Sequence, residues 1–198
     1  MKYSSGLTKK PFWYLESKKT AKYLLKNMDR KDIIKIAIEE NIYQVESENR
    51  AKIIGNSCIT RLNSLPKVIV EDIIDTDINT SKILVLISVM KNDRLFFEFM
   101  HEVFRNKIIL GDLKIDDKDL NIFFDDKILQ SETVASWKES NIKRLKGDYI
   151  RLLSNAGIIN INKDLNEIVI PLIDIKVEKD LINNNLSSFL HAITGKID

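Results

Sequence analysis

The chain has 198 residues, 44% of them hydrophobic and 30% charged, enough apolar side chain for a core and enough charge to cover its surface, which excludes disorder for most of its length. Its 31 basic and 29 acidic residues leave a net charge of +2, so overall charge selects no partner. The longest apolar run, 83–87 with Val89 and Met90 beyond it, falls far short of the roughly 20 residues that span a bilayer. Residues 1–8 hold no apolar signal core and Cys58 is alone, so neither a membrane partner nor an intrachain disulfide is expected, and the cytoplasm is the expected compartment.

Residues 1–30 are basic, with Lys2, Lys9, Lys10, Lys18, Lys19, Lys22, Lys26 and Arg30 against Glu16 and Asp29. Pro11 suits the first position of a helix running to about residue 27, because its missing N–H costs nothing there. Asp29 can cap a second helix carrying Ile33, Ile34, Ile36 and Ala37, and Ser47 a third, with Ala51, Ile54, Cys58 and Leu62 on one side. Pro66 opens a short helix to residue 74. Thr80 is the expected cap of the next, 83–90, which is apolar nearly all round and so belongs at the centre. Asp93 starts a helix whose Leu95, Phe96, Phe99, Met100, Val103 and Phe104 form a wide core stripe rather than a cofactor box. Gly111 ends it and marks the expected domain boundary.

Beyond Gly111 the charge reverses. Asp112, Asp116, Asp117, Asp119, Asp125 and Asp126 stand against Lys114 and Lys118. A helix over 116–129, carrying Leu120, Phe123, Phe124 and Ile128, is followed by a short one at 132–135 and a longer one to residue 155. Ser136 with Glu139 fits a capping box for the longer helix, Ser140 an alternative cap, and Gly157 its left-handed end. The period then changes. Segments 158–161 and 167–170 read as short β-branched strands around a polar turn, closed by Pro171, and a last helix is expected over 178–193. Helix, short helix, longer helix and hairpin is the element order of a winged helix-turn-helix. The expected fold is therefore mostly α, with an N-terminal helical domain over 1–110 and a C-terminal winged-helix-like domain over 111–198 holding one short β-hairpin.

The longer helix separates by face. At about 100° per residue, Ile142, Leu145, Tyr149, Leu152, Leu153 and Ala156 share one side, while Lys143, Arg144, Lys146 and Arg151 fall on the other around Gly147. A mid-helix glycine costs about 1 kcal/mol relative to alanine. Close approach of a phosphate backbone, helix packing or neutral drift each account for it. As a recognition helix this face would meet phosphates and base edges in the major groove, with Lys138 at its start and Lys163 at the wing tip. The bland alternative is a solvated face. Elsewhere, the aspartates at 116–119 suit a helix N-terminus, and His101 and His191 lie in no metal-ligand spacing. Cys58 sits on an apolar side, and the glycines are scattered singly, with no phosphate-cradling loop. No catalytic residue, metal site, cofactor or small-molecule substrate is expected, and the chain reads as a binding protein rather than an enzyme.

Several segments in order carry a family resemblance. They are Tyr3-Ser4-Ser5-Gly6-Leu7-Thr8, Lys10-Pro11-Phe12-Trp13, Asn41-Ile42-Tyr43-Gln44-Val45-Glu46-Ser47 and Arg50-Ala51-Lys52. Asp93-Arg94-Leu95-Phe96-Phe97-Glu98-Phe99-Met100, Val134-Ala135-Ser136-Trp137-Lys138-Glu139-Ser140 and Lys143-Arg144-Leu145 continue the set. Nearly the whole chain resembles the BrxA family, small accessory proteins of BREX phage-defence systems. The resemblance implies a helical protein with helix-turn-helix character that binds duplex DNA, and a comparison with the antitermination factor NusB. It implies partners among other BREX components, a methyltransferase and an ATPase, and it supplies no catalytic motif. Beside duplex-DNA binding through phosphates, two readings stay open: a protein-only scaffold whose basic helix docks an acidic partner, and a NusB-like RNA binder.

Overall fold

Short polar side chains set most of the helix starts, because the first N–H groups of a helix have no partner within it. In the computed structural model, residues 2–162 and 165–196 are described. Helix α2 (Arg30–Glu39) is capped by Asp29, whose carboxylate accepts from the Asp32 N–H at 2.8 Å. Helix α3 (Glu48–Asn63) is capped by Ser47, which accepts from the Arg50 N–H at 3.3 Å. Both starts are those expected.

Two starts differ. Helix α1 (Tyr14–Leu25) begins three residues after Pro11, because Trp13 adopts a left-handed backbone with φ of 49°. Its indole lies between the guanidinium groups of Arg50 and Arg61, 5.3 and 5.6 Å from the ring centre. Buried Arg61 also donates to the carbonyls of Lys10, Pro11 and Phe12 at 2.7, 2.8 and 3.3 Å, so these oxygens face an arginine rather than a helical ladder. Helix α4 (Lys67–Asp75) follows Pro66 as expected. Helix α5 (Ile78–Asn92) is capped by Asp77 and not by Thr80, which lies buried within the first turn.

Asp93 caps α6 (Arg94–Phe99), but the helix does not stay regular. It passes through a π-helical turn (Met100–Phe104) into α7 (Arg105–Ile109), and Gly111 follows with φ of 72°. A strand absent from the sequence reading, β1 (Lys114–Ile115), precedes α8 (Asp117–Gln130), which starts with a full capping box between Asp116 and Asp119. Then come α9 (Glu132–Ala135), α10 (Glu139–Ala156), β2 (Ile159–Asn162) and β3 (Leu165–Ile168). The Ser136–Glu139 box does not form. The Ser136 hydroxyl donates to the Thr133 carbonyl at 2.7 Å, and Lys138 occupies the N-cap position of α10 without a side-chain bond. The antiparallel sheet has the order β1-β3-β2, with Ile115 opposite Asn166 and Ile159 opposite Ile168. The single closing helix expected is two, α11 (Ile175–Asn183) and α12 (Ser187–Thr194), separated where Asn185 takes a φ of 59°.

From Ile83 to Met90 helix α5 is buried on all sides, as its apolar circumference requires. One hydrophobic cluster joins it to α4, α6, α8, α10, the strands and the last two helices, and so continues across Gly111. Tyr149 of α10 sits at its aromatic centre, with ring centres of Phe96, Phe99 and Phe124 at 4.9, 5.2 and 5.6 Å. Full burial of each such ring stabilises by about 2–3 kcal/mol. A smaller cluster around Trp13, Tyr43 and Ile54 ties α1, α2 and α3 together. The fold is mostly α with one small sheet. Among the described residues no helix is long and apolar enough to cross a membrane.

Candidate nucleic-acid interface

Helix α10 owes its two faces to the alternation read from the sequence. Ile142, Leu145, Tyr149, Leu152, Leu153 and Ala156 are all buried, packed toward α5, β2 and the 3₁₀ turn Gly6–Lys9. Lys143, Arg144 and Arg151 are exposed on the other side, with Gly147 between them and Lys138 exposed at the start. Lys143, Gly147, Arg144 and Arg151 share the solvent side of the helix, and Lys138 stands at its N-cap. Lys163 lies outside the described residues.

The cations differ in freedom. Among the described residues, Lys138 and Lys143 make no hydrogen bond or ion pair through their side chains. Lys146 is half-buried, donates to the Asn121 amide oxygen at 2.6 Å and lies 5.5 Å over the Phe124 ring, so its stem is fixed against α8. Arg144 donates to the Thr8 carbonyl at 3.2 Å, which ties the N-terminal segment to α10.

Asp148 is the residue the sequence reading passed over. It lies four residues after Arg144 and three before Arg151, the spacing that puts side chains on one helical face. Its carboxylate meets Arg151 at 2.5 Å and Arg144 at 3.9 Å and offsets part of the positive charge at the edge of the basic face. Burial pushes its carboxyl above the usual carboxylate range, although Arg151 and Arg144 pull the other way. One of its oxygens, Oδ2, accepts no hydrogen bond. Gly147 stands in open space: a Cβ there would meet nothing within 4 Å. Packing inside this chain therefore does not require glycine at that position.

The remaining reactive groups lie apart from this face. Cys58 is buried against Ser17, whose hydroxyl donates to its sulfur at 3.6 Å, and burial pushes the thiol up to about 11. Such a thiol stays protonated near neutrality and is a poor nucleophile. Among the described residues no group of three or more His, Cys, Asp or Glu side chains is placed to hold a metal ion.

Comparison with known proteins agrees along the whole architecture. A crystal structure of an uncharacterized protein from Magnetospirillum magneticum superposes with a TM-score of 0.81 at 19% identity, covering 99% of this chain and 100% of that one, so the two share a fold. The BREX protein BrxA of Bacillus cereus (strain H3081.97) is 43% identical over 175 residues, 88% of each chain. The family model BrxA matches residues 1–185. With identity and coverage of this extent, the chain belongs to the BrxA family.

Proposed function

We propose that the chain is a non-catalytic accessory protein of a BREX-type phage-defence system that binds duplex DNA through the outer face of α10. The observation that carries this reading is the exposed set of Lys143, Arg144 and Arg151 around a bare glycine, with Lys138 exposed at the helix start, on a helix whose opposite face is locked into the core. A phosphate backbone needs cations on a rigid element and room for close approach, and this face offers both. The order α8, α9, α10, β2, β3 supports placing α10 as the recognition helix of a winged-helix-like unit over 111–198, with 1–110 as the N-terminal helical part. The name of the Bacillus cereus relative supports other BREX components as protein partners, which the family resemblance reads as a methyltransferase and an ATPase. A cytoplasmic location fits a protein that works on the cell's DNA.

The contact is read as mainly electrostatic and tolerant of sequence, since the cations of the face, Lys143, Arg144 and Arg151, can each neutralise a phosphate whatever the base. Neutralising about four phosphates gives a slope of about −3.6 in log affinity against log salt, or roughly 150-fold weaker binding at 200 mM than at 50 mM. Fluorescence anisotropy with duplex DNA, single-stranded DNA and RNA across that range measures it. A flat salt response, or no binding at low salt, contradicts the reading in favour of a protein-only scaffold. Tighter binding of RNA than of duplex DNA contradicts it in favour of a NusB-like role.

A further inference from the structure

The acidic half of the chain surrounds a groove that the α10 face does not use. It runs between the π-helical turn with α7 on one side and α8 on the other, with a volume of about 380 Å³. Its apolar floor and lip are Val103, Leu110 and Ile122, of which Leu110 is 79% and Ile122 51% exposed. Leu129, 86% exposed, lies on the same side of α8 two turns further on, beyond Asp125 and Asp126. Leu110 and Ile122, large aliphatic side chains left this open at the mouth of a groove, are of the kind that mark a docking site.

Charge says what would cover it. Glu102, Asp112, Asp119 and Asp126 rim the groove, and Lys107 is the one cation in its lining among the described residues. Lys107 bridges Asp112 at 2.7 Å and Asp119 at 2.8 Å, and Lys127 of α8 holds Glu102 at 2.7 Å, so the four rim carboxylates meet two cations and keep an excess of negative charge. Asp126 is exposed and makes no ion pair to a described residue. The wall itself is irregular: the π-helical turn interrupts α6 and α7 where Glu102 and Val103 enter the groove, and such turns concentrate at functional sites. The other flank of α8, with Asp117, Leu120 and Asn121, borders the hollow beside Lys143 and Gly147. A molecule in the acidic groove therefore leaves the basic face of α10 free.

We infer that this groove docks a basic amphipathic helix of another protein, its apolar stripe on Leu110 and Ile122 and its lysines or arginines against Asp126, Asp119 and Glu102. That mode lays apolar side chains at helical spacing into a groove while rim charges select register and partner. The chain would then bridge DNA on one flank of α8 and a protein on the other.

Site-specific photocrosslinking tests it in cells carrying the complete defence gene cluster. A benzoyl-phenylalanine placed at Ile122 in the full-length chain is expected to form an adduct with one other protein of the cluster, in a segment where basic residues flank an apolar stripe. The same group at Ile78, 64% exposed on α5, is the control and is expected to form none. Adding Leu110→Ser and Asp126→Lys is expected to lower the Ile122 adduct about tenfold or more. Both positions are exposed, so the fold, checked by thermal unfolding, and DNA affinity, checked by anisotropy, are expected to stay as in the parent. An adduct with a second copy of this chain, with a segment lacking basic residues, or with no protein at all overturns the inference. Unchanged crosslinking in the double variant does so as well. None of these outcomes alters the DNA titration, so failure here is distinct from failure of the α10 reading.

Discussion

Gly147 and Asp148 are adjacent, and each makes a different demand on α10. Glycine in a helix interior loses more backbone entropy on folding than alanine does, and here a methyl group would meet open space. Gly147→Ala is therefore expected to stabilise the fold by about 0.5–1 kcal/mol in denaturant unfolding. It is also expected to weaken DNA binding, because the added carbon stands where a phosphate would approach. Greater stability with unchanged affinity would remove Gly147 from the interface. Asp148 opposes the same surface: its carboxylate occupies Arg151 and Arg144, which would otherwise face a polyanion. Asp148→Asn removes one negative charge from that face and is expected to tighten DNA binding roughly fivefold to tenfold near 0.1 M salt. The pH dependence follows from the sign of its shift. With the folded-state pKa raised above the unfolded one, the folded form holds the proton more tightly, and that contribution to stability is lost as pH rises through the folded value. The asparagine variant is thus expected to gain on the parent in thermal unfolding above the ordinary carboxylate range and to lose that advantage in acid. Equal pH profiles for the two proteins would contradict this.

Among the elements, local chemistry fixed what the sequence reading could reach. Asp29, Ser47, Asp93 and Gly157 act at short range, within three or four residues of their own backbone, and each ends or begins a helix as expected. The two faces of α10 were legible because six apolar positions repeat at helical spacing. Elements set by distant partners were not. β1 exists because Lys114 and Ile115 pair with Glu167 and Asn166, some fifty positions away in sequence, and two residues carry no strand pattern of their own. The late start of α1 comes from Arg61 reaching back to Lys10, Pro11 and Phe12. The salt links around Asp148 were within reach of helical spacing, but the Arg144 bond to Thr8 was not. The π-helical turn is likewise held from outside: buried Lys127 of α8 joins Glu98, just before the turn, at 2.8 Å and Glu102, within it, at 2.7 Å. Lys127→Ala leaves Glu102 without its cation and Glu98 with that of Arg94, and is expected to cost about 2 kcal/mol, below the range for fully buried pairs because Glu102 is half exposed and Glu98 stays paired. A loss under about 0.5 kcal/mol, the size of an ordinary surface change, would show that the turn does not depend on this link.

For the whole molecule, the DNA contact proposed above does not need a large net charge, which is only +2. The balance is segregated: cations line the exposed side of α10, carboxylates gather around α8, and a single hydrophobic cluster holds the two in fixed relation. A rigid helix face loses little entropy on meeting DNA, so a few lysines suffice for a weak, salt-sensitive contact. The most direct measurement changes only the cations that structure leaves unengaged, sparing the partners of Asp148. Lys138→Glu with Lys143→Glu alters two exposed side chains, so thermal unfolding is expected to match the parent. The salt dependence of duplex-DNA affinity is then compared with that of a control carrying Lys18→Glu and Lys22→Glu on α1. Loss of two phosphate contacts is expected to shrink the log–log slope by about 1.8 and weaken binding more than 50-fold near 0.1 M salt, a rough figure from counterion release. The control is expected to lose less. A double variant on α10 that is folded and keeps the parent's slope and affinity, while the α1 control loses both, would contradict the assignment of DNA to α10.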